Sequence, residues 1–436
     1  MTRLAYSLLW YLLLPAVLWR LWWRGRRQPA YRRRWGERLA LGLGRDRCPA
    51  SIWVHAVSVG EMLAAEALVE QLQRRYPDMT VVLTTTSYAA SAQVRARFGD
   101  RVLHVYCPWD LPDALRRFFR AFNPRLVLLM ETELWPNMIA LARQEAVPVL
   151  LVNGRLSERA FRGYRRLPGL TVPMVTGLSA VLVQSSADAA RFRVLGAHPE
   201  TISITGSIKF DTDLTRLRPV SEALRAGWAG RPVWIAASTH KGEDEQVLAA
   251  HQAVMRTCPE ALLVLVPRHP ERFPRVAALV TAAGYRMARR SASEPVSAVT
   301  QVYLGDTMGD LQALFGAVDV AFVGGSLVPA GGHNLLEPAA WGKPVLSGPG
   351  LDNFRAIAAL LDEAGALTRV GDAQTLAAAV SALLADPARR QRQGAAAAAV
   401  VAANTGALAQ TLRVVNEQAQ DQLLSGLSSR TRSSST

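Results

Sequence analysis

The sequence predicts an α/β protein of two Rossmann-like domains. Each is a parallel sheet with helices on both faces, and an apolar N-terminal helix anchors the chain to a membrane. Three observations carry this. At 436 residues, half of them hydrophobic, the chain is too long for one ordinary core and suits two domains of about 150–200 residues. From Ser51 short apolar strands alternate with helical stretches, and the pattern starts afresh near Val233. Ahead of Ser51 a Leu- and Trp-rich run, Leu4 to Trp19, leads into clustered arginines.

Residues 1–24 are the expected membrane anchor. The run is marginal for a full span, which needs about 20 apolar residues. Only Arg3 precedes it and no small-residue cleavage site follows, so it reads as an uncleaved anchor and not as a secretory signal. A helix lying in the interface and an ordinary buried helix are the alternatives. Trp10, Trp19, Trp22 and Trp23 suit a membrane interface. Residues 25–50 form a basic juxtamembrane segment. Between Arg20 and Arg47 there are ten Arg against Glu37 and Asp46, a net charge of +8. Such a cluster holds anionic headgroups and keeps the rest of the chain on the cytoplasmic side.

The first α/β domain is expected over 51–206. Its strands are Ser51–Val57, Thr80–Thr85, Val102–Tyr106, Leu126–Met130, Val147–Val152 and Val181–Gln184, with a further short strand at Ile202–Thr205. Residues 207–232, rich in glycine, proline and charge, form a hinge. The second domain runs over 233–417, with strands Val233–Ala237, Leu262–Val266, Val299–Leu304, Val318–Val323 and Pro344–Leu346. The Ala-rich helical stretch from Asp386 to Glu417 ends it and is expected to pack back on the first domain. Residues 418–436, rich in Ser and Arg, read as a disordered tail. Two such domains facing each other would leave a cleft at the C-terminal ends of their strands, where doubly wound folds bind ligands.

The whole chain carries a formal charge of +15 and a pI near 10.6, which calls for an anionic partner. The charge concentrates beside the anchor and no nucleic-acid-binding signature is present, so a lipid surface or a phosphorylated substrate ranks above nucleic acid. Cys48, Cys107 and Cys258 are scattered and the seven histidines show no paired-ligand spacing, so no structural or catalytic metal is expected.

The densest motif is FVGGSLVPAGGHNLLEPAAWGKPVLSGP, Phe322 to Pro349. It reads as strand, glycine loop, helix, strand, with Asn334 as N-cap and free amides suited to a phosphate. Glu337, one turn in, is placed to accept from a ribose. An ordinary αβ turn with packing glycines is the other reading. Arg268 and His269 in VPRHPERF follow a strand, and arginine suits bidentate phosphate contact. In GDTMGDL, Met308 can lie against a base, Gly309 permits close backbone approach and Asp310 can act as a local cap. Three loops converging on one sheet edge describe a nucleotide site. A P-loop and a first-strand GxGxxG are both missing, which argues against a kinase or a dehydrogenase.

In the first domain Glu61 follows a strand directly, and reads either as a base for a hydroxyl or as a helix first-turn charge. Glu131 and Glu133 end another strand on the same edge, Glu133 fitting the helix-charge reading better. Lys209 in GSIKFD is either a phosphate partner or a solvated surface lysine. Together these residues fit a membrane-anchored nucleotide-sugar glycosyltransferase, with a catalytically inert nucleotide-binding scaffold as the alternative.

The motifs WVHAVSVGE, METELWPN, GSIKFD, VPRHPERF, GDTMGDL and GGHNLLEPAAWGKPV resemble, in this order, those of the 3-deoxy-D-manno-octulosonic acid (Kdo) transferase family. The resemblance extends from the anchor to about residue 415. It implies the GT-B glycosyltransferase fold, CMP-Kdo as donor and the tetra-acylated lipid A precursor as acceptor. It also implies a place in lipopolysaccharide synthesis at the cytoplasmic face of the Gram-negative inner membrane, with no cofactor. Carried over by motif, Glu61 is the proton acceptor, and Glu131 and Lys209 stabilise the transition state. CMP contacts Arg268, His269, Met308, Gly309, Asp310, Asn334, Leu335, Leu336 and Glu337. Another GT-B enzyme using a UDP-sugar on a lipid acceptor is the nearest alternative.

Overall fold

The computed structural model describes residues 1–27, 32–43 and 48–419. Much of the basic segment and nearly all of the Ser-rich tail lie outside them; Gln418 and Ala419, which the tail was expected to include, are helical. The chain forms two compact units, one of residues Met1–Asp211 and Thr405–Thr436, the other of Thr212–Asn404.

Unit 1 begins with helix α1 (Arg3–Arg27). Then follow β1 (Ser51–His55), α2 (Val59–Arg75), β2 (Thr80–Thr85), α3 (Tyr88–Phe98), β3 (Leu103–Tyr106), α4 (Pro112–Phe122) and β4 (Pro124–Met130). The unit continues through α5 (Pro136–Gln144), β5 (Val149–Gly154), α6 (Glu158–Arg165), α7 (Pro168–Val175), β6 (Ala180–Val183), α8 (Ser186–Val194) and β7 (Ile202–Ile204). The strands are all parallel in the order β3-β2-β1-β4-β5-β6-β7. They are apolar on both faces because helices cover both. Trp53, its ring tilted against Phe118 at 4.3 Å, fills one side, and Ile52, Val54 and Met62 fill the other. The sheet order reverses between β1 and β4.

Unit 2 holds α9 (Arg218–Gly227), β8 (Val233–Thr239), α10 (Asp244–Thr257), β9 (Leu262–Pro267), α11 (Phe273–Ala282), β10 (Met287–Arg289), β11 (Val302–Leu304) and α12 (Leu311–Ala317). It continues with β12 (Val320–Val323), α13 (Leu336–Ala340), β13 (Val345–Ser347), α14 (Arg355–Glu363), β14 (Leu367–Arg369), α15 (Ala373–Ala385) and α16 (Pro387–Asn404). Its strands are also all parallel, ordered β10-β11-β9-β8-β12-β13-β14, with the reversal between β8 and β12.

The unit boundaries differ from those expected. Of the expected hinge, 207–211 stays in unit 1, while the rest belongs to unit 2, where α9 packs on α12 with the Ser221 hydroxyl donating to the Ala313 carbonyl. At the other end, residues 407–419 form a helix whose Ala407 and Val415 enter the core of unit 1. The Asp211 carboxylate accepts from the amides of Gly406 (2.6 Å) and Leu408 (2.7 Å), fixing that helix where the chain returns. Residues 405–417 therefore belong with the first domain and not the second. The sequence pattern misses β10 and β14, three-residue strands that each end in an arginine and show no apolar run.

Candidate functional site

In unit 1 the reversal point of the sheet gathers the predicted acids. β1 passes into α2 through Ser58, whose hydroxyl accepts from Glu61 N at 3.3 Å and donates to Glu61 Oε1 at 2.9 Å. The Val57 amide donates to Oε2 at 2.8 Å. This is a capping arrangement, so the carboxylate closes the helix N-terminus and stands at a strand end at the same time. Burial pushes its pKa up, and the charge of Glu131 adds to the rise; the Val57 and Ser58 hydrogen bonds and Lys209 oppose it.

Glu131 ends β4, the neighbour of β1, with a backbone φ of +55°. A left-handed non-glycine residue costs about 1–3 kcal/mol and persists where the surroundings enforce it. Here the Glu131 amide donates to the Val152 carbonyl at 2.9 Å, and the carboxylate lies 2.8 Å from Lys209 Nζ and 2.9 Å from Arg155 Nε. Lys209 sits in a tight turn, Ile208–Phe210, held by Asn153 Oδ1, which accepts from the Ile208 amide at 3.1 Å. The structure thus brings Glu61, Glu131 and Lys209 together. It adds Glu133, which the sequence pattern assigns to a helix start. α5 begins only at Pro136, and burial, with the charges of Glu61 and Glu131, raises the Glu133 carboxyl to about 7 against its bond from the Trp135 indole.

Unit 2 builds a second cluster at its own reversal point. Past β12, Gly325 has a φ of +69°, and a Cβ there would fall 2.8 Å from the His333 ring. His333 Nε2 and His240 Nε2, the latter following β8, share a hydrogen bond of 2.8 Å, and the His269 ring meets His240 edge-on at 5.3 Å. Burial lowers the pKa of His240 and brings His333 to about 3, with the neighbouring cations acting in the same sense. Arg268 and His269 follow β9, next to β8, so the predicted basic loop lies beside the glycine loop.

The pin between these loops is Glu243, fully buried and not foreseen from the sequence. Its Oε2 accepts from the amides of His240 (2.9 Å) and Gly325 (2.7 Å), and its Oε1 from those of Ser326 (3.0 Å) and Leu327 (2.9 Å). A buried carboxylate with its lone pairs met by N–H donors is strongly held. The run SerThrHisLysGlyGluAspGlu around it looks like a solvated loop, and its partners are backbone groups, so no side-chain pattern marks it.

The remaining predicted contacts are placed as follows. Met308 is exposed and Gly309 has a φ of +97°, at an open turn after β11. Asp310 stands at the N-cap position of α12 but does not cap it; its carboxylate accepts instead from the Thr307 hydroxyl and from Arg290. Asn334 is not the N-cap of α13 either. That position is Leu335, because the short helix starts at Leu336, but Asn334 Oδ1 still accepts from the Leu336 amide at 3.1 Å and its Nδ2 donates to Glu337 Oε1 at 3.2 Å. Leu335 and Leu336 are buried, so their backbone is what they can offer a ligand. Gly331 owes part of its identity to packing, since a Cβ there would press on Asn353.

The family model described as 3-deoxy-D-manno-octulosonic-acid transferase (kdotransferase) matches residues 33–212. A 3-deoxy-D-manno-octulosonic acid transferase of Haemophilus influenzae is 41% identical over 418 residues, covering 94% of this chain and 97% of its own length. The chain belongs to the Kdo transferase family. The Bordetella pertussis 3-deoxy-D-manno-octulosonic acid transferase is 40% identical over 418 residues, covering 93% of this chain and 96% of its own. The second family model, glycosyl transferases group 1, matches residues 231–400. The kdotransferase match ends within one residue of the junction between the two units. A solved UDP-GlcNAc 2-epimerase from Neisseria meningitidis superposes with a TM-score of 0.57 at 13% identity, covering 84% of this chain and all of that one. At that identity it shows the fold alone. This Kdo transferase is therefore a glycosyltransferase with two Rossmann-like units of the GT-B class.

Proposed function

We propose that this Kdo transferase moves Kdo from CMP-Kdo to the tetra-acylated lipid A precursor at the cytoplasmic face of the inner membrane, with inversion at the anomeric carbon. The observation that carries it is the cluster of buried Glu61 and Glu131 with half-buried Lys209 at the reversal point of unit 1. A carboxylate raised above its ordinary pKa is suited to take a proton from an alcohol. Glu61 removes the proton of the 6′-hydroxyl on the distal glucosamine. The oxygen forms its bond to the anomeric carbon as the bond to the CMP phosphate oxygen breaks, and CMP leaves with that electron pair. Glu131, clamped by Lys209 and Arg155, positions the lysine, whose charge offsets the negative charge that develops.

Unit 2 supplies the donor site. Arg268, His269 and the amides of Asn334 and Leu335 face the phosphate, and Met308 to Asp310 and Glu337 face the nucleoside. CMP departs with one phosphate, whose charge these groups can balance without a metal, so EDTA is expected to leave turnover unchanged.

The decisive experiment incubates purified protein with freshly generated CMP-Kdo and lipid A precursor and reads the lipid by mass spectrometry. A mass increase of one or more Kdo units is expected. Competition by CMP and not UDP separates this reading from a UDP-sugar enzyme. Glu61→Ala should abolish transfer with CMP binding intact; near-normal turnover in that variant refutes the base assignment.

A further inference from the structure

Helix α1 is apolar and long enough to cross a membrane by length and composition, yet its placement on unit 1 is that of a helix lying flat. Its N-terminal turns are fastened by polar bonds. The Trp10 indole donates to the Tyr6 hydroxyl at 2.7 Å, and Tyr6 lies beside the buried carboxylate of Asp110. The same carboxylate caps α5 through the amides of Asn137 (2.9 Å) and Met138 (2.8 Å). The Ser7 hydroxyl donates to Asn137 Oδ1 at 3.1 Å, and that of Tyr11 to Asp113 Oδ1 at 2.6 Å. The Met1 carbonyl reaches Gly169 at the start of α7.

The far end returns as well. Arg32, just past the helix, donates to the Trp22 carbonyl, and Arg34 donates to the His104 carbonyl at the start of β3. Along the whole helix the buried and half-buried positions recur at Ser7, Trp10, Leu14, Val17, Leu21 and Gly25, a single stripe of helical period. Leu4, Leu8, Leu12 and Trp19 are exposed on the other side. A spanning helix would need lipid all round it over about 30 Å of hydrocarbon. With residues 1–11 docked, Leu12 to Trp23 supplies only ~18 Å at 1.5 Å per residue.

We infer that α1 lies in the plane of the bilayer surface, its Leu4–Leu8–Leu12–Trp19 face in the lipid and its N-terminus on the same side as unit 1. The partner is an anionic lipid surface. Trp22 and Trp23 sit at headgroup depth, Arg20 and Arg24 flank the apolar face and Arg26 ends it. The Ser7–Asn137 bond locks the helix to the unit and so sets which face of unit 1 turns to the membrane. This rests on the membrane location proposed above, and the two fail in different measurements.

The test uses the full chain in liposomes of phosphatidylethanolamine and phosphatidylglycerol, in a Cys258→Ser background, since Cys48 and Cys107 are buried. Thr2→Cys reports the N-terminus and Glu200→Cys, on the exposed surface of unit 1, reports the unit. Flotation first reads membrane binding; protein that stays at the bottom overturns the membrane location and with it the lipid partner. In floated protein a membrane-impermeant maleimide should label both positions to the same extent without detergent. Protection of Thr2→Cys where Glu200→Cys labels, relieved by detergent, means a spanning helix and overturns the inference. Ser7→Ala, which removes the hydroxyl bonded to Asn137, should still float and should loosen the N-terminus, giving a several-fold faster cut by added protease near α1. Unchanged cleavage overturns the lock.

Discussion

Glu243→Ala is the perturbation with the largest expected reach. The carboxylate is the common acceptor for four backbone N–H groups at 2.7 to 3.0 Å, three of them in the glycine loop after β12 and one in the loop after β8. A hydrogen bond to a charged acceptor contributes about 1.5–3 kcal/mol net, so a simple sum gives roughly 6–12 kcal/mol. The space vacated admits water, which re-pairs some of the donors, and single substitutions rarely exceed about 5 kcal/mol. A loss of about 3–5 kcal/mol is therefore expected. Unit 2 spans 193 residues, Thr212 to Asn404 (404 − 212 + 1). At ~2–4 °C per kcal/mol for that size its melting midpoint should fall by roughly 6–20 °C. Calorimetry of the full chain reads this, and titration with CMP below the new midpoint should show affinity down at least about tenfold, or ~1.4 kcal/mol, because His333 and Asn334 ride on the freed loop. Glu243→Gln, which keeps the shape but turns an amino group toward two N–H donors, should fall between. A Glu243→Ala protein that melts within a degree of the parent and binds CMP unchanged would show that the loop holds its own shape.

The chemistry of unit 1 gives two further tests. Lys209→Met removes a positive charge that lowers the Glu61 pKa, so the acid limb of the pH–rate profile should move to higher pH, and turnover should fall about 10²–10³-fold; an unmoved limb would mean that Glu61 is not the titrating base. Glu133 has a folded pKa of about 7, above its ordinary 4.5, so the folded state binds its proton more tightly than the unfolded one. That stabilisation is present at low pH and fades as pH rises from about 4.5 through about 7. Glu133→Gln should flatten the melting temperature between pH 5 and 8 and raise it at the upper end; a profile parallel to the parent's would refute the shift.

Much of this was legible in the chain. Parallel strands buried on both faces leave near-continuous apolar runs, so twelve of the fourteen strands could be read from the sequence, and glycines at φ near +70° to +100° mark Gly309, Gly325 and Gly331 in any sequence that must turn there. Acids at strand ends stand out in a basic protein, which drew attention to Glu61 and Glu131. What escaped depends on partners that leave no side-chain trace. Glu243 binds backbone amides some eighty residues away, Asn334 Oδ1 takes the amide two residues on and not three, and Asp310 serves an arginine from another loop. The docking of α1 was hidden for a related reason: Ser7 and Tyr11 are polar groups in an apolar run, and only Asn137 and Asp113 give them meaning.

The grip of Asp211 on residues 406–408 also bears on how the chain is made. Unit 2 is an insertion whose two ends meet at that carboxylate. During synthesis the sheet of unit 1 emerges first, yet Ala407 and Val415, which complete its core, emerge only after all of unit 2. Until then one side of the first sheet lacks its last helix, and the nascent protein carries an apolar groove beside Met79 and Tyr76. A ribosome stalled before residue 405 would present that groove to chaperones, and a peptide of residues 405–419 supplied from outside should fill it.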